Sequence, residues 1–446
     1  MVLKIKSYRR SRHIVEFSID TEGKTRFFLH GRKAFLTYAS VEISEVPDSI
    51  VNVPIIGVLY PLAMTLGDEI VVDELDLDFY LSLVKLKKII SIFYPHLPVL
   101  KSNLTASNIV KNNVKPNGFC ILFSGGVDST ALLLNSLDRR PCLVTIWGAD
   151  IPLHDIYRWR KLTDYIINLS KKLELDYYFI AFYNPIDVTR LDAFFRHKMY
   201  GNDWWGGVAA GIATPSLTAP ILFTLRKDLR MSPDLPKHLL YPWSDTSLIV
   251  DNIRVAGLSV VSGDENLSRI DKVRVIAEKE KELKIRGVDL MIRSCFKEGT
   301  LWNCGYCEKC ARTITGLYLC NLDPNALGFQ VGDLSKYFRL LKLHILTRSK
   351  KLEGKHVYTT SFIRAHYWNE LKHLSKRDDP LVNFLQYVDF EASEYRITYL
   401  DILKRLLILT PKGYHDSITR AIARIIRLIS IQHSRAGSQS NYYFRF

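Results

Sequence analysis

From residue 119 the chain repeats one unit. Short apolar runs of strand length alternate with stretches of helical spacing: a strand over 119–123, a helix over 129–138, a strand over 142–147, a helix over 155–173 and a strand over 176–182. Strand runs that are apolar throughout are buried on both faces, and their alternation with helices predicts an α/β fold built on a doubly wound parallel sheet. In such a sheet, ligands bind beyond the carboxyl ends of the strands. Two loops fall there, 124–129 after the first strand and 147–150 after the second.

The first loop reads Ser124, Gly125, Gly126, Val127, Asp128, Ser129. Adjacent glycines open backbone conformations closed to other residues, and they let an anion approach the unpaired N–H groups at the start of the following helix. The hydroxyls of Ser124 and Ser129 add donors, and Asp128 is suited to orient the loop or to hold Mg2+. No Gly-Lys-Ser/Thr ending is present, which excludes the phosphate loop of kinases and GTPases. At every position these residues resemble the SGGxDS signature of the PP-loop ATP pyrophosphatases, whose fold is that of the adenine nucleotide alpha hydrolases. The resemblance implies ATP binding by residues 124–129 and cleavage of ATP to AMP and pyrophosphate while a carboxylate or carbonyl is activated as its adenylate.

Asp150, after "TIWGA", either faces the nucleotide or caps its own loop. A later helix opens at Ser268, with Arg269 and Lys272 near its start. These two cations either meet phosphate charge or form an exposed salt-bridged face.

Four cysteines, Cys295, Cys304, Cys307 and Cys310, follow as C-x8-C-x2-C-x2-C. Four thiolates fill the tetrahedral shell of one Zn2+ and leave no open position, so the expected zinc lobe is structural; an iron–sulfur cluster is the competing reading. Cys120, Cys142 and Cys320 lie in apolar surroundings and read as core. The SGGxDS loop with this cysteine quartet resembles the 7-cyano-7-deazaguanine synthase family over roughly residues 115–320. The resemblance implies ATP-dependent activation of the small-molecule carboxylate 7-carboxy-7-deazaguanine, amination to the amide and dehydration to the nitrile. Enlarged relatives accompany anti-phage systems, which extends the implied acceptor to a protein amine.

Residues 1–100 read as a β-rich region plus a helix, 115–320 as the ATP pyrophosphatase domain, and 325–446 as a helical region ending in a basic amphipathic segment with Arg420, Arg424 and Arg427. The acidic residues Asp73, Glu74, Asp76 and Asp78 cap the following helix or bind a cation. Trp204 and Trp205 are core or lid residues, or a platform for a base. Lys and Arg exceed Asp and Glu by 61 − 46 = 15. That excess favours an acidic protein or RNA as acceptor, with a homodimer contact or plain packing as the alternative use of the extra regions. The sequence shows no segment read as a membrane span or signal peptide, so a soluble cytoplasmic protein is expected. Two other functions stay open: a tRNA-modifying PP-loop enzyme, and a nucleotide-sensing or RNA-binding protein without turnover.

Overall fold

In the computed structural model the described residues are 2–393, apart from 22, 296, 298–301 and 353–354; the segment with Arg420, Arg424 and Arg427 lies outside them. The strands, in chain order, are β1 (Val2–Arg10), β2 (Ile14–Thr21), β3 (Lys33–Tyr38), β4 (Glu69–Asp76), β5 (Asn103–Val110), β6 (Phe119–Leu122), β7 (Cys142–Trp147), β8 (Tyr177–Tyr183), β9 (Asp228–Met231), β10 (Arg254–Val255) and β11 (Leu258–Ser262). They form one sheet in the order β10-β11-β9-β6-β7-β8-β3-β2-β1-β4-β5. Its middle, from β11 to β8, is parallel throughout. The chain lays down β6, β7 and β8 in one direction and then returns to place β9 and β11 on the other side of β6. The reversal between β6 and β9 opens a crevice at the carboxyl ends of these strands, the usual ligand position in open α/β sheets.

Side-chain alternation gives the sheet two cores. Phe119 and Ile121 of β6, with Leu143 of β7, pack on one side with helices Val127–Leu134, Ile156–Leu173, Arg269–Ile285 and Glu308–Leu319. Cys120, Cys142 and Val144 face the other, where helix Val53–Leu66 is buried in all but its last residue. A helix apolar all round belongs inside. Cys120 and Cys142 are direct register partners and are disulfide-bonded, whereas the sequence reading had them as simple core residues.

The first hundred residues continue the same sheet. β3 pairs antiparallel with β8, setting Phe35 opposite Tyr183 and Tyr38 opposite Ile180. Of the acidic residues, Asp73, Glu74 and Asp76 lie in strand β4 and Asp78 in helix Leu77–Phe93, which Asp76 caps through the Phe79 N–H at 3.0 Å. Asp78 accepts from the Gly257 N–H at 2.7 Å. The Asp76 contact is the cap weighed from sequence, whereas Asp78 ties the helix to a distant turn.

Among the described residues one helix, Trp205–Leu225, is long and apolar enough to cross a membrane, and 72% of its most apolar window is buried inside the protein. One further expectation needs correction: after residue 325 the chain is not helical alone. Helices Leu334–Arg348 and Phe362–Leu374 accompany a small sheet of β12 (Lys350–Leu352), β13 (Lys355–Thr360) and β14 (Val388–Ala392). β12 is exposed in every residue and β13 buries only its middle, so neither shows the apolar run or alternation that marks a strand in sequence.

Candidate functional site

The SGGVDS turn joins β6 to helix Val127–Leu134, which begins two residues earlier than its periodicity suggests because Gly126 already caps it. Gly125 has φ +72°, a conformation that strains any other residue, and a Cβ there would lie 3.3 Å from Leu162. Ser129, 7% exposed, closes the turn from within: its hydroxyl accepts from the Ser124 N–H and donates to the Gly126 carbonyl, both at 3.3 Å. Ser124 Oγ is 3.5 Å away. The turn forms one wall of a cleft of about 560 Å³ at the carboxyl ends of β6, β7 and β9.

Asp128 does not stand alone. Its Oδ1 accepts from Lys272 Nζ at 3.1 Å and its Oδ2 pairs with Arg269 Nη1 at 2.9 Å. Arg269 Nη2 reaches Asp234 Oδ1 at 2.5 Å, and Lys272 also donates to the Pro233 carbonyl. The cause is local. Ser268 and Asp271 form a reciprocal cap at the start of helix Arg269–Ile285, and residues three apart share its inward face. The exposed salt-bridged face weighed from sequence is thus a buried ion cluster, with the Lys272 side chain fully enclosed. Arg269 also lines the cleft.

Asp150 lies at the cleft, as its strand-end position suggested, and pairs with Arg293 Nη2 at 2.9 Å. Arg293 also binds the turn itself. Its Nε donates to the Ser124 carbonyl at 3.0 Å and its N–H to the Gly125 carbonyl at 2.7 Å. Sequence reasoning missed Arg293, and equally Asp234, Asp245 and Lys309, which all line the cleft. The available signals were positional: Arg293 and Lys309 flank or interrupt the cysteine pattern, and Asp234 follows the unrecognised strand β9.

Charges in the cleft strongly perturb one another. Burial would raise the Asp234 carboxyl, but Arg269, Lys309 and Arg312 hold it at about 2. Burial, with the carboxylates of Asp234 and Asp128, pushes Asp245 well above the usual range; its Oδ1 has no hydrogen-bond partner. Burial draws Lys309 down to about 8. Of the two tryptophans, Trp204 is core, fully buried with Nε1 on Thr65 Oγ1 at 2.8 Å, whereas Trp205 lines the cleft.

The sulfurs of Cys295, Cys304, Cys307 and Cys310 all lie within 4.8 Å of one another. Cys295 and Cys307 are 3.9 Å apart, and Cys304 and Cys310 are 3.8 Å apart. A tetrahedral shell with Zn–S bonds of about 2.3 Å separates its sulfurs by about 3.8 Å. The group is close enough to hold a metal such as zinc. Backbone N–H groups of Lys297, Cys307 and Cys310 point at Cys295, Cys304 and Cys307, an arrangement that stabilises thiolates. Cys307 is also the cap of helix Glu308–Leu319, and Cys320 lies outside the group. Compared with protein-family models, curated proteins and solved structures, the chain matches none.

Proposed function

We propose that the protein is an ATP-dependent carboxylate-activating enzyme of the 7-cyano-7-deazaguanine synthase type, which forms an acyl adenylate with release of pyrophosphate and passes the acyl group to an amine. The observation that carries this reading is the SGGVDS turn itself. It lies at the point where the strand order reverses, with a helix N-terminus, two hydroxyls and the cations Arg269 and Arg293 beside one cleft. A cleft of about 560 Å³ falls in the range of small-molecule sites.

In the proposed reaction a substrate carboxylate oxygen attacks the α-phosphorus. The bond to the bridging oxygen breaks, and pyrophosphate leaves with its electron pair. The chain needs no nucleophile of its own for this step. The N–H groups at the start of helix Val127–Leu134, with the Ser124 hydroxyl, hold phosphate oxygens, Ser129 keeps the turn in shape from within, and Arg269 and Arg293 offset the charge that develops on the leaving group. Mg2+ bound with ATP would share that charge, and Asp245, with its unpartnered Oδ1, would hold it, giving up the proton that burial and the neighbouring carboxylates otherwise keep on it. The amine then attacks the acyl carbonyl, AMP leaves, and the amine's proton passes to solvent or a cleft carboxylate.

The metal is proposed to be one Zn2+ in a closed, structural site. Sulfurs that ligate separate irons of a multi-iron cluster lie farther apart than this quartet allows. The site's use would be local: its lead-in residue Arg293 grips the turn, and Lys309 enters the cleft from between two ligands. Sulfur transfer to tRNA is less well supported. It needs a reactive thiol near the cleft, yet Cys120 and Cys142 are bonded to each other near the amino ends of their strands. The acceptor is proposed to be ammonia or the amine of an acidic protein, in keeping with the net charge of +15.

Oxygen tracing tests the reading. 7-Carboxy-7-deazaguanine labelled with 18O in its carboxylate should transfer one labelled oxygen to AMP, read by mass spectrometry. AMP free of label in a reaction that consumes the substrate would rule out the adenylate.

A further inference from the structure

The C-terminal part of the described chain packs against Arg269, a residue of the cleft wall, and Tyr367 makes the closest ring contact there. Tyr367, on helix Phe362–Leu374, is 1% exposed. The Arg269 guanidinium carbon lies 5.3 Å from its ring centroid, and that of Arg312 lies 4.3 Å away. The tyrosine hydroxyl donates to the Asp234 carbonyl at 2.7 Å. One residue therefore touches three separate parts of the site: the start of helix Arg269–Ile285, the helix that carries Cys310 and the loop after β9.

Arg269 stands between the carboxylates of Asp128 and Asp234 at the cleft wall. A polyanionic nucleotide entering the cleft competes with both for the same guanidinium. A long arginine side chain loses much rotamer freedom when held in one place, and the face of an aromatic ring holds such a cation without neutralising it. We propose that Tyr367 is a positioning residue for nucleotide binding: its ring keeps the Arg269 guanidinium at the cleft wall as phosphate enters, so that the C-terminal helices complete the site. This rests on the ATP-binding reading above. It also gives those helices a use inside the molecule that requires no macromolecular acceptor.

The test is equilibrium binding of the non-cleavable α,β-methylene ATP with Mg2+ to the full chain. Tyr367→Phe retains the ring and should bind within about threefold of wild type. A pentafluorophenylalanine introduced at position 367 keeps the shape but withdraws charge from the ring face, and Tyr367→Leu removes the ring; each should weaken binding about tenfold. The double variant Tyr367→Leu with Arg269→Met should bind no more weakly than Arg269→Met alone, since the tyrosine acts through the arginine. Three results overturn the proposal: Phe and its fluorinated form binding alike, Phe losing as much as Leu, or the two effects adding in full in the double variant. Should Tyr367→Leu fail to fold, the comparison of Phe with its fluorinated form decides alone. Wild-type protein that binds no nucleotide would instead overturn the ATP reading, and this proposal with it.

Discussion

Asp128 shows how a residue can be recognised from sequence while its surroundings are not. Its place in SGGVDS marks it at once, yet both its oxygens are held by cations more than a hundred residues away, one of them the fully enclosed Lys272. Removing one partner of a buried ion group leaves the others uncompensated. Asp128→Ala is therefore expected to lower the unfolding free energy by about 3 kcal/mol, and not only to abolish turnover. Urea unfolding measures this, and unchanged stability would show that the cluster is not formed. Asp234 carries a pH signature of its own. Burial opposes its charge, but the surrounding cations hold its folded pKa at about 2, below the ordinary 3.8 of an aspartate, so its contribution to stability is complete above about pH 4 and is lost as the pH falls towards 2. The wild-type protein should lose stability over that window, and Asp234→Asn, already lacking the contribution, should lose less.

Among the elements, the glycine turn was legible because its glycines, hydroxyls and helix start are contiguous, so a single short stretch carries the whole signal. Arg293, Lys309 and Asp245 were not, because they come from separate places, a loop before the cysteines, the first turn of helix Glu308–Leu319 and the loop before Ser247, and only the fold gathers them. Strand β9, "DLRM", is too short and too polar to be read as a buried strand, and with it the Asp234 loop was lost. The turn's own backbone can be tested. Gly125→Ala places a side chain at φ +72° against Leu162, which should cost roughly 1–2 kcal/mol and remove nucleotide binding. A variant that binds ATP normally would show that the conformation is not needed. For the metal group, purified protein should hold one Zn2+ per chain, and Cys307→Ser should lower the melting temperature together with ATP affinity, because Arg293 and Lys309 both lie within two residues of its cysteines. Iron with sulfide in the metal analysis would contradict the zinc assignment.

Over the whole molecule, the parallel middle of the sheet followed from alternating apolar runs and helical stretches, but its extent did not. The first hundred residues have the alternation of a sheet with one covered face, and nothing in that pattern says which strand they join; the β3–β8 pairing decides it. Because helix Val53–Leu66 lies in the same core as Cys120, Val144 and Ile180, a chain beginning at residue 101 should be insoluble or strongly destabilised. A well-folded fragment of that kind would show that the N-terminal strands form a separate unit. The central claim remains the bond that is broken in ATP. Incubation of the protein with ATP, Mg2+, 7-carboxy-7-deazaguanine and ammonia, with nucleotides resolved by chromatography, should yield AMP and pyrophosphate in equal amounts, and Ser124→Ala should yield almost none. ADP with inorganic phosphate, or AMP formation that Ser124→Ala leaves unchanged, would contradict the account.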